Sequence, residues 1–286
     1  MIKGILNNYH IRFQKQNRLK VLSLLPILLL LEQLWLLKKK ILGINRPIVH
    51  LYAVCWNEVK ILPFVLKYYD GFVNHFYIYD NFSDDDTDLI LNENSNITVR
   101  KFDTDGQFND LVHQKIKNTV WKQSRGKADW VIVIDMDEFI YHPHLIDFLQ
   151  ASKNTFFKPY GFSMVTDVFP ESNELITNQV KCGIPDPKYA KMVLFNPHRI
   201  VEINYEPGAH EAYPEGIIKI GISNDLKLLH YKNLGVDYVM EKIRNYRSRL
   251  SQQNRENKHG LEYERQDKIV VDEMKTYLDS AVQVID

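Results

Sequence analysis

The chain is predicted to fold as an α/β protein, a mostly parallel sheet flanked by helices, with helical appendages at both ends. Three observations carry that expectation. From about residue 48 to residue 140, short apolar, β-branched runs alternate with segments of helical period. Several runs are continuously apolar, as strands buried on both faces are. Polar clusters then follow their carboxyl ends, where open α/β sheets bind ligands. A chain of 286 residues can bury one large core, so one central domain over 47–235 is expected, between an N-terminal segment, 1–46, and a C-terminal helical region, 236–286.

The N-terminal segment is basic, with nine Lys and Arg against one Glu through residue 46, which leaves 27 against 35 Asp and Glu in the rest of the chain. An acidic body argues against nucleic acid as a partner, since such binding relies on a cationic face. Val21 to Leu37 is leucine-rich and precedes Lys38-Lys39-Lys40. At 1.5 Å per residue it spans about 26 Å, short of a roughly 30 Å hydrocarbon core, and Glu32 and Gln33 interrupt it. Pro26 is expected to kink or start the helix. No small-residue cleavage site follows, which argues against a signal peptide. Residues 21–40 are therefore expected to lie in a membrane surface with the lysines on headgroups, or else to pack on the body or a second subunit.

Ile48 to Cys55 is the first strand of the body, followed by Trp56-Asn57-Glu58 and a helix from about Val59 to Tyr69. Val73 to Tyr79 is a second strand, and Asp80 to Thr87 supplies caps for a short helix to Leu91. Ile97 to Phe102 is a third strand. Phe108 to Ser124 has helical length, with Phe108, Leu111, Val112, Ile116, Val120 and Trp121 along one stripe. Short strands are expected at Gly161–Phe169, Lys191–Phe195, Ile200–Tyr205 and Ile217–Ile222, and helix from Val236 onward. Cys55 and Cys182 stand apart, without the spacing of a zinc site, and point to a reducing compartment.

The central stretch is Trp130 to Ile140, WVIVIDMDEFI, a buried strand that ends in Asp135, Asp137 and Glu138. Continued strand alternation would send Asp135 and Asp137 to one side and Met136 to the other. Two hard oxygen donors suit Mg²⁺ or Mn²⁺ together with a bound phosphate. The plainer alternative is acids that only solubilise a strand end.

Strand–Asn57-Glu58–helix, strand–Asp80-Asn81-x-Ser83-x-x-x-Thr87 and the Trp-Val-x-x-x-Asp-x-Asp-Glu-Phe strand, in this order, resemble the family 2-like glycosyltransferases of the GT-A fold. The resemblance covers about residues 48–235 and implies a GT-A catalytic domain on a Rossmann-like sheet. It implies an inverting, metal-dependent transfer from a nucleotide-sugar donor, with a UDP-sugar the leading expectation, to a glycan or lipid-linked acceptor. Asn57, Glu58, Asp80 and Asn81 would line the nucleotide pocket. Asp135 and Asp137 would hold the divalent cation, with His230 as a third contact and Lys232 on phosphate. Candidates for the proton-accepting group are Glu211, Asp167 and His210, in that order. Lys191 and Arg199 are single basic residues of the kind usually solvated, and the Lys242–Arg249 run reads as a charged helix face. A sugar-1-phosphate nucleotidyltransferase and a non-catalytic nucleotide- or glycan-binding scaffold are the alternatives. The former is marked by a Gly-rich, Lys/Arg-bearing loop after its first strand, and Ala53 to Lys60 contains no glycine. The expected location is the cytoplasmic face of a membrane, or the Golgi lumen in a eukaryote.

Overall fold

A computed structural model describes residues 11–286; the first ten residues of the expected basic segment lie outside that range. Strand β1 (Ile11–Arg12) precedes the long helix α1 (Arg18–Ile41). Then come β2 (Val49–Cys55), α2 (Leu62–Tyr69), β3 (His75–Asp80), α3 (Thr87–Asn92), β4 (Ile97–Lys101), α4 (Asp110–Thr119) and β5 (Trp130–Asp135). The second half runs β6 (Glu138–Tyr141), α5 (Leu145–Ala151), β7 (Phe156–Phe157), β8 (Tyr160–Thr166), α6 (Ile176–Gln179), β9 (Cys182–Pro185), β10 (Leu194–Phe195) and β11 (Ile200–Glu202). It ends with β12 (Glu215–Ile217), β13 (Ile220–Gly221), β14 (Lys227–Leu234), α7 (Val236–Arg249), α8 (Gln252–Glu256), α9 (Asp267–Ser280) and β15 (Val282–Gln283).

The central sheet has the order β13-β7-β10-β5-β2-β3-β4, and its β5, β2, β3 and β4 are parallel. All of β2 is buried, as its mostly apolar sequence favours, with His50 as its polar exception. From β2 the sheet grows through β3 to β4, whereas β5 joins the opposite edge of β2. The order of strand addition therefore reverses between β2 and β5, and a crevice opens at their carboxyl ends. In register, Cys55 faces Asp80 and Val54 faces Asp135, so all three strand ends reach one rim.

A second sheet, β15-β9-β8-β14-β6, stands where looser structure was expected. The Trp130 strand stops at Asp135, and Met136-Asp137 turns the chain into β6. Met136 enters the core while both aspartates stay at the crevice. Pairing of β14 with β6 sets His230 opposite Glu138, and the Tyr231 amide donates to the Asp137 carbonyl at 2.8 Å.

Helix α1 runs through Pro26 without ending. Val21, Leu25, Leu28, Glu32, Trp35 and Lys39, spaced three or four apart, are buried against the body on both sides of the proline. Glu32 pairs with Arg199 at 2.6 Å, and the Trp35 indole donates to Asp129 at 2.9 Å. Lys39, expected among headgroups, lies on Asp129 at 2.5 Å instead. The far side of the helix exposes Ile27, Leu30, Leu34, Leu37 and Ile41 beside Lys38 and Lys40.

Candidate functional site

The loops after β2 and β3 are fastened to each other by the motif residues themselves. The Asn57 amide donates to Ser83 Oγ at 2.9 Å, the Glu58 amide to Thr87 Oγ1 at 3.0 Å, and the Asp84 amide to Asn57 Oδ1 at 2.9 Å. Asp80 is wholly buried and accepts from the Ser83 amide at 2.9 Å and from Lys101 at 2.7 Å. Its carboxylate therefore braces the loop, and Asp80 has no surface on the crevice lining, contrary to the expected nucleotide contact. Asn57 lies in an adjoining hollow. Glu58 and Asn81 do line the crevice.

The crevice gathers Asp135, Asp137, His230, Lys232 and His210, as the sequence led one to expect, but not Glu211 or Asp167. Both of those carboxylates are exposed on the outer surface. Two helices supply the residues that sequence reasoning missed. Asp110, His113, Gln114 and Lys117 share one face of α4, and Lys242, Tyr246 and Arg249 one face of α7. The signal for the first was a polar stripe at three-four spacing beside the apolar one. For the second it was a charged run whose inward members were indistinguishable from solvated ones.

These lysines neutralise the motif. Lys117 meets Asp135 Oδ1 at 2.5 Å, and Lys191 reaches Asp135 Oδ2 at 3.3 Å and Glu138 at 2.5 Å. Lys242 donates to Asp137 Oδ2 at 2.9 Å and approaches Glu58 at 3.3 Å, and His230 Nε2 lies 3.3 Å from Asp137 Oδ1. Burial alone would raise the two aspartates, but Lys117 and Lys191 hold Asp135 far below the usual carboxylate range, and Lys242 and His230 do so for Asp137. Burial lifts Glu58 to about 7 against the pull of Lys242. Lys191 is 3% exposed, which corrects its expected solvation, and Arg199 is engaged by α1 away from the crevice.

The donor set does not fit a divalent cation as it stands. Three of the four oxygens of Asp135 and Asp137 face a lysine ammonium and the fourth faces His230 Nε2, and among the described residues no three His, Cys, Asp or Glu side chains converge to hold a metal ion. A metal would have to displace buried ammonium groups and leave them unpaired, which is costly. The expected Mg²⁺ or Mn²⁺ would therefore need these side chains to rearrange, and no step below passes through a metal.

Two aromatic features shape the ends. The Arg249 guanidinium lies 3.4 Å from the centre of the Trp56 ring, just beyond β2. Tyr189 sits with its ring 3.9 Å from that of His230 and 5.6 Å from that of His210. Gly161 permits this: a Cβ there would come within 2.3 Å of the Tyr189 backbone. His210, at the rim, has Nδ1 2.9 Å from the Lys188 carbonyl oxygen. A carbonyl only accepts, so Nδ1 carries the proton and Nε2 a lone pair. Partial withdrawal from water, then Lys191, lowers the His210 pKa from its ordinary value, which favours the neutral ring.

The fold and crevice define a Rossmann-like α/β protein whose strand ends, at the reversal of strand order, carry an acidic and basic cluster. No family model and no curated protein matches the sequence. Among solved structures the chain is similar to HddC from Yersinia pseudotuberculosis, at 11% identity and a TM-score of 0.33, over 63% of this chain and 92% of that one. It is also similar to 4-diphosphocytidyl-2C-methyl-D-erythritol synthase from Anaerococcus prevotii, at 12% identity and a TM-score of 0.29, over 53% and 70% of the two chains. A candidate glucose-1-phosphate thymidylyltransferase from Bacillus anthracis is similar at 12% identity and a TM-score of 0.28, over 52% and 72%. Likenesses of this strength carry no argument about activity.

Proposed function

We propose that the protein is an inverting glycosyltransferase that moves a sugar from a nucleoside diphosphate to an acceptor hydroxyl. The observation that carries this is the set of three buried or half-buried lysines, Lys117, Lys191 and Lys242, held on carboxylates at the reversal of strand order. A diphosphate offers those ammonium groups new partners, and the charge that grows on the departing nucleoside diphosphate is what they would stabilise. A base would stack against the Trp56–Arg249 pair, replacing the assignment to Asp80. The acceptor oxygen attacks C1, its proton passes to His210 Nε2, and the C1–O bond breaks with its electron pair leaving on the diphosphate. His210 thereby moves ahead of Glu211 and Asp167.

A melting panel with nucleoside diphosphates tests the donor site. Stabilisation is expected even with a chelator present, about 2.7 kcal/mol at a hundredfold excess over Kd, and a weaker shift in Lys242→Met. A shift that appears only with Mn²⁺ would return the carboxylates to a metal, and no shift at all would remove the donor. The second reading, a sugar-1-phosphate nucleotidyltransferase, would use the same lysines on its phosphates and has the glycine-free Ala53–Lys60 loop against it. The nature of the leaving group separates the two. Nucleoside triphosphate consumption with pyrophosphate release would establish the nucleotidyltransferase.

The outer face of α1 is proposed to rest on an anionic membrane surface, with Ile27, Leu30, Leu34, Leu37 and Ile41 in the headgroup boundary and Lys38 and Lys40 on phosphates. The ties through Glu32, Trp35 and Lys39 favour a helix lying flat over one that spans. Leu30→Glu with Leu37→Glu is expected to reduce flotation with anionic vesicles at least about tenfold. Unchanged flotation would leave α1 as a packing element only.

A further inference from the structure

Behind the crevice lies a second cavity of about 500 Å³, within the roughly 300–1,000 Å³ of small-molecule sites. Its walls come from β8, the turn after β9, β14, α7 and α9. It shares Tyr189, His210, Lys232, Val239, Ile243 and Glu262 with the crevice, so the two spaces adjoin along a wall that includes Tyr189 and His210.

The chemistry of the second space differs from that of the first. Asp186, Glu262 and Glu273 are matched by Lys188, Lys232 and Arg265, three charges of each sign. Arg265 is held by both oxygens of Glu273 at 2.6 Å, and Asp186 accepts from Ser163 Oγ at 3.0 Å and from the Lys188 amide at 3.1 Å. Arg265 is thus committed to Glu273, and the remaining acids and bases balance in number, so the cavity carries no net cationic charge for a phosphate. Tyr189 and Tyr277 contribute ring faces, and Ser163 and Asn233 short polar groups. Rings beside paired hydrogen-bonding groups suit a ligand with apolar C–H faces and many hydroxyls.

We propose that this cavity binds the acceptor, and that the acceptor is a neutral, hydroxyl-rich glycan. The inference rests on the transferase reading: the acceptor's reactive hydroxyl would emerge between Tyr189 and His210, toward the crevice. Tyr189 then acts as the shared wall that separates donor from acceptor, and Gly161 is the residue that lets this wall approach the sheet. The role of the C-terminal region becomes specific, since α9 supplies Glu273, Met274 and Tyr277 to the acceptor side.

The test is saturation-transfer NMR on the full chain with UDP present, using neutral methyl glycosides and glucose 1-phosphate as probes. The variants are Glu273→Trp, which fills the cavity, and Glu273→Gln, which keeps its volume. Methyl glycoside signals are expected with the unaltered protein and with Glu273→Gln, and at least tenfold weaker signals with Glu273→Trp. The UDP-induced melting shift should be the same in all three, which reports an intact fold and donor cleft. Glycosides that bind Glu273→Trp equally, or a protein that binds only glucose 1-phosphate, would overturn the proposal. Loss of glycoside binding everywhere with the UDP shift intact would remove the cavity's role and leave the transferase reading standing. Glycoside binding blocked by Glu273→Trp without any UDP shift would keep the glycan site and remove the donor.

Discussion

Exchange of His210 for Asn is expected to lower sugar transfer by about 10²–10⁴-fold, the usual contribution of a general base, while the melting shift with nucleoside diphosphate stays unchanged. The reason is geometric. Nδ1 is committed to the Lys188 carbonyl, so only Nε2 can take the acceptor proton. The pH profile gives the signature. Protonated His210 cannot accept, so activity is present above the folded-state pKa and lost as pH falls through it. Partial burial and Lys191 lower that value from 6.5, against the Lys188 carbonyl, Glu138 and Asp135, which raise it. The acid limb of kcat/KM should therefore lie below the ordinary imidazole range and vanish in the residual activity of His210→Asn. A variant with full activity would return the role to another group, and Glu58, lifted to about 7 in the crevice, is the next in place.

The second large effect is on stability. Lys191→Met is expected to destabilise the fold by about 3–5 kcal/mol in urea titrations, because it leaves Glu138 buried without its cation. Lys191 is 3% exposed and Glu138 is 1% exposed. The double variant Lys191→Met with Glu138→Gln should recover more than half of the loss. Glutamine keeps an oxygen for the Asp135 amide, which Glu138 now accepts at 3.1 Å. A single variant costing less than about 1 kcal/mol, as surface pairs do, would show that the pair contributes only to the site. Nucleoside diphosphate binding should weaken in both variants, which separates the electrostatic role from the structural one.

The parallel half of the fold was legible because β2, β3 and β5 are largely apolar or aromatic runs of strand length, and their carboxyl ends lead into the polar residues that mark the crevice. The β6–β14 pairing was not legible. Glu138 to Tyr141 looks like the tail of the Trp130 strand, and only a chain turn at Met136-Asp137 separates them. Asp135, Asp137, His230 and His210 were found as polar residues at the ends of apolar runs or in a tight turn. Lys117 and Lys242 were not, since a lysine on a helix is ordinary and only packing decides whether it faces water. The loop residues were misread in the opposite direction. Asp80 and Asn57 carry a recognisable pattern, yet their polar atoms are spent joining two loops. A pattern that fixes a loop and a pattern that touches a ligand draw on the same residue types. Helix α1 shows a third limit: its composition suits a membrane and a protein surface equally, and the structure gives one stripe to the body and leaves the other outside.

The pairing of Lys117, Lys191 and Lys242 with Asp135, Glu138 and Asp137 also bears on how a ligand arrives. Matched charges a few ångströms apart cancel at a distance, so the empty crevice projects little field into solvent and gives phosphates in general little attraction. Capture of the donor becomes an exchange of ionic partners after contact, with long-range steering playing a small part. Its association rate should consequently change little with ionic strength, while its residence time carries most of the selectivity.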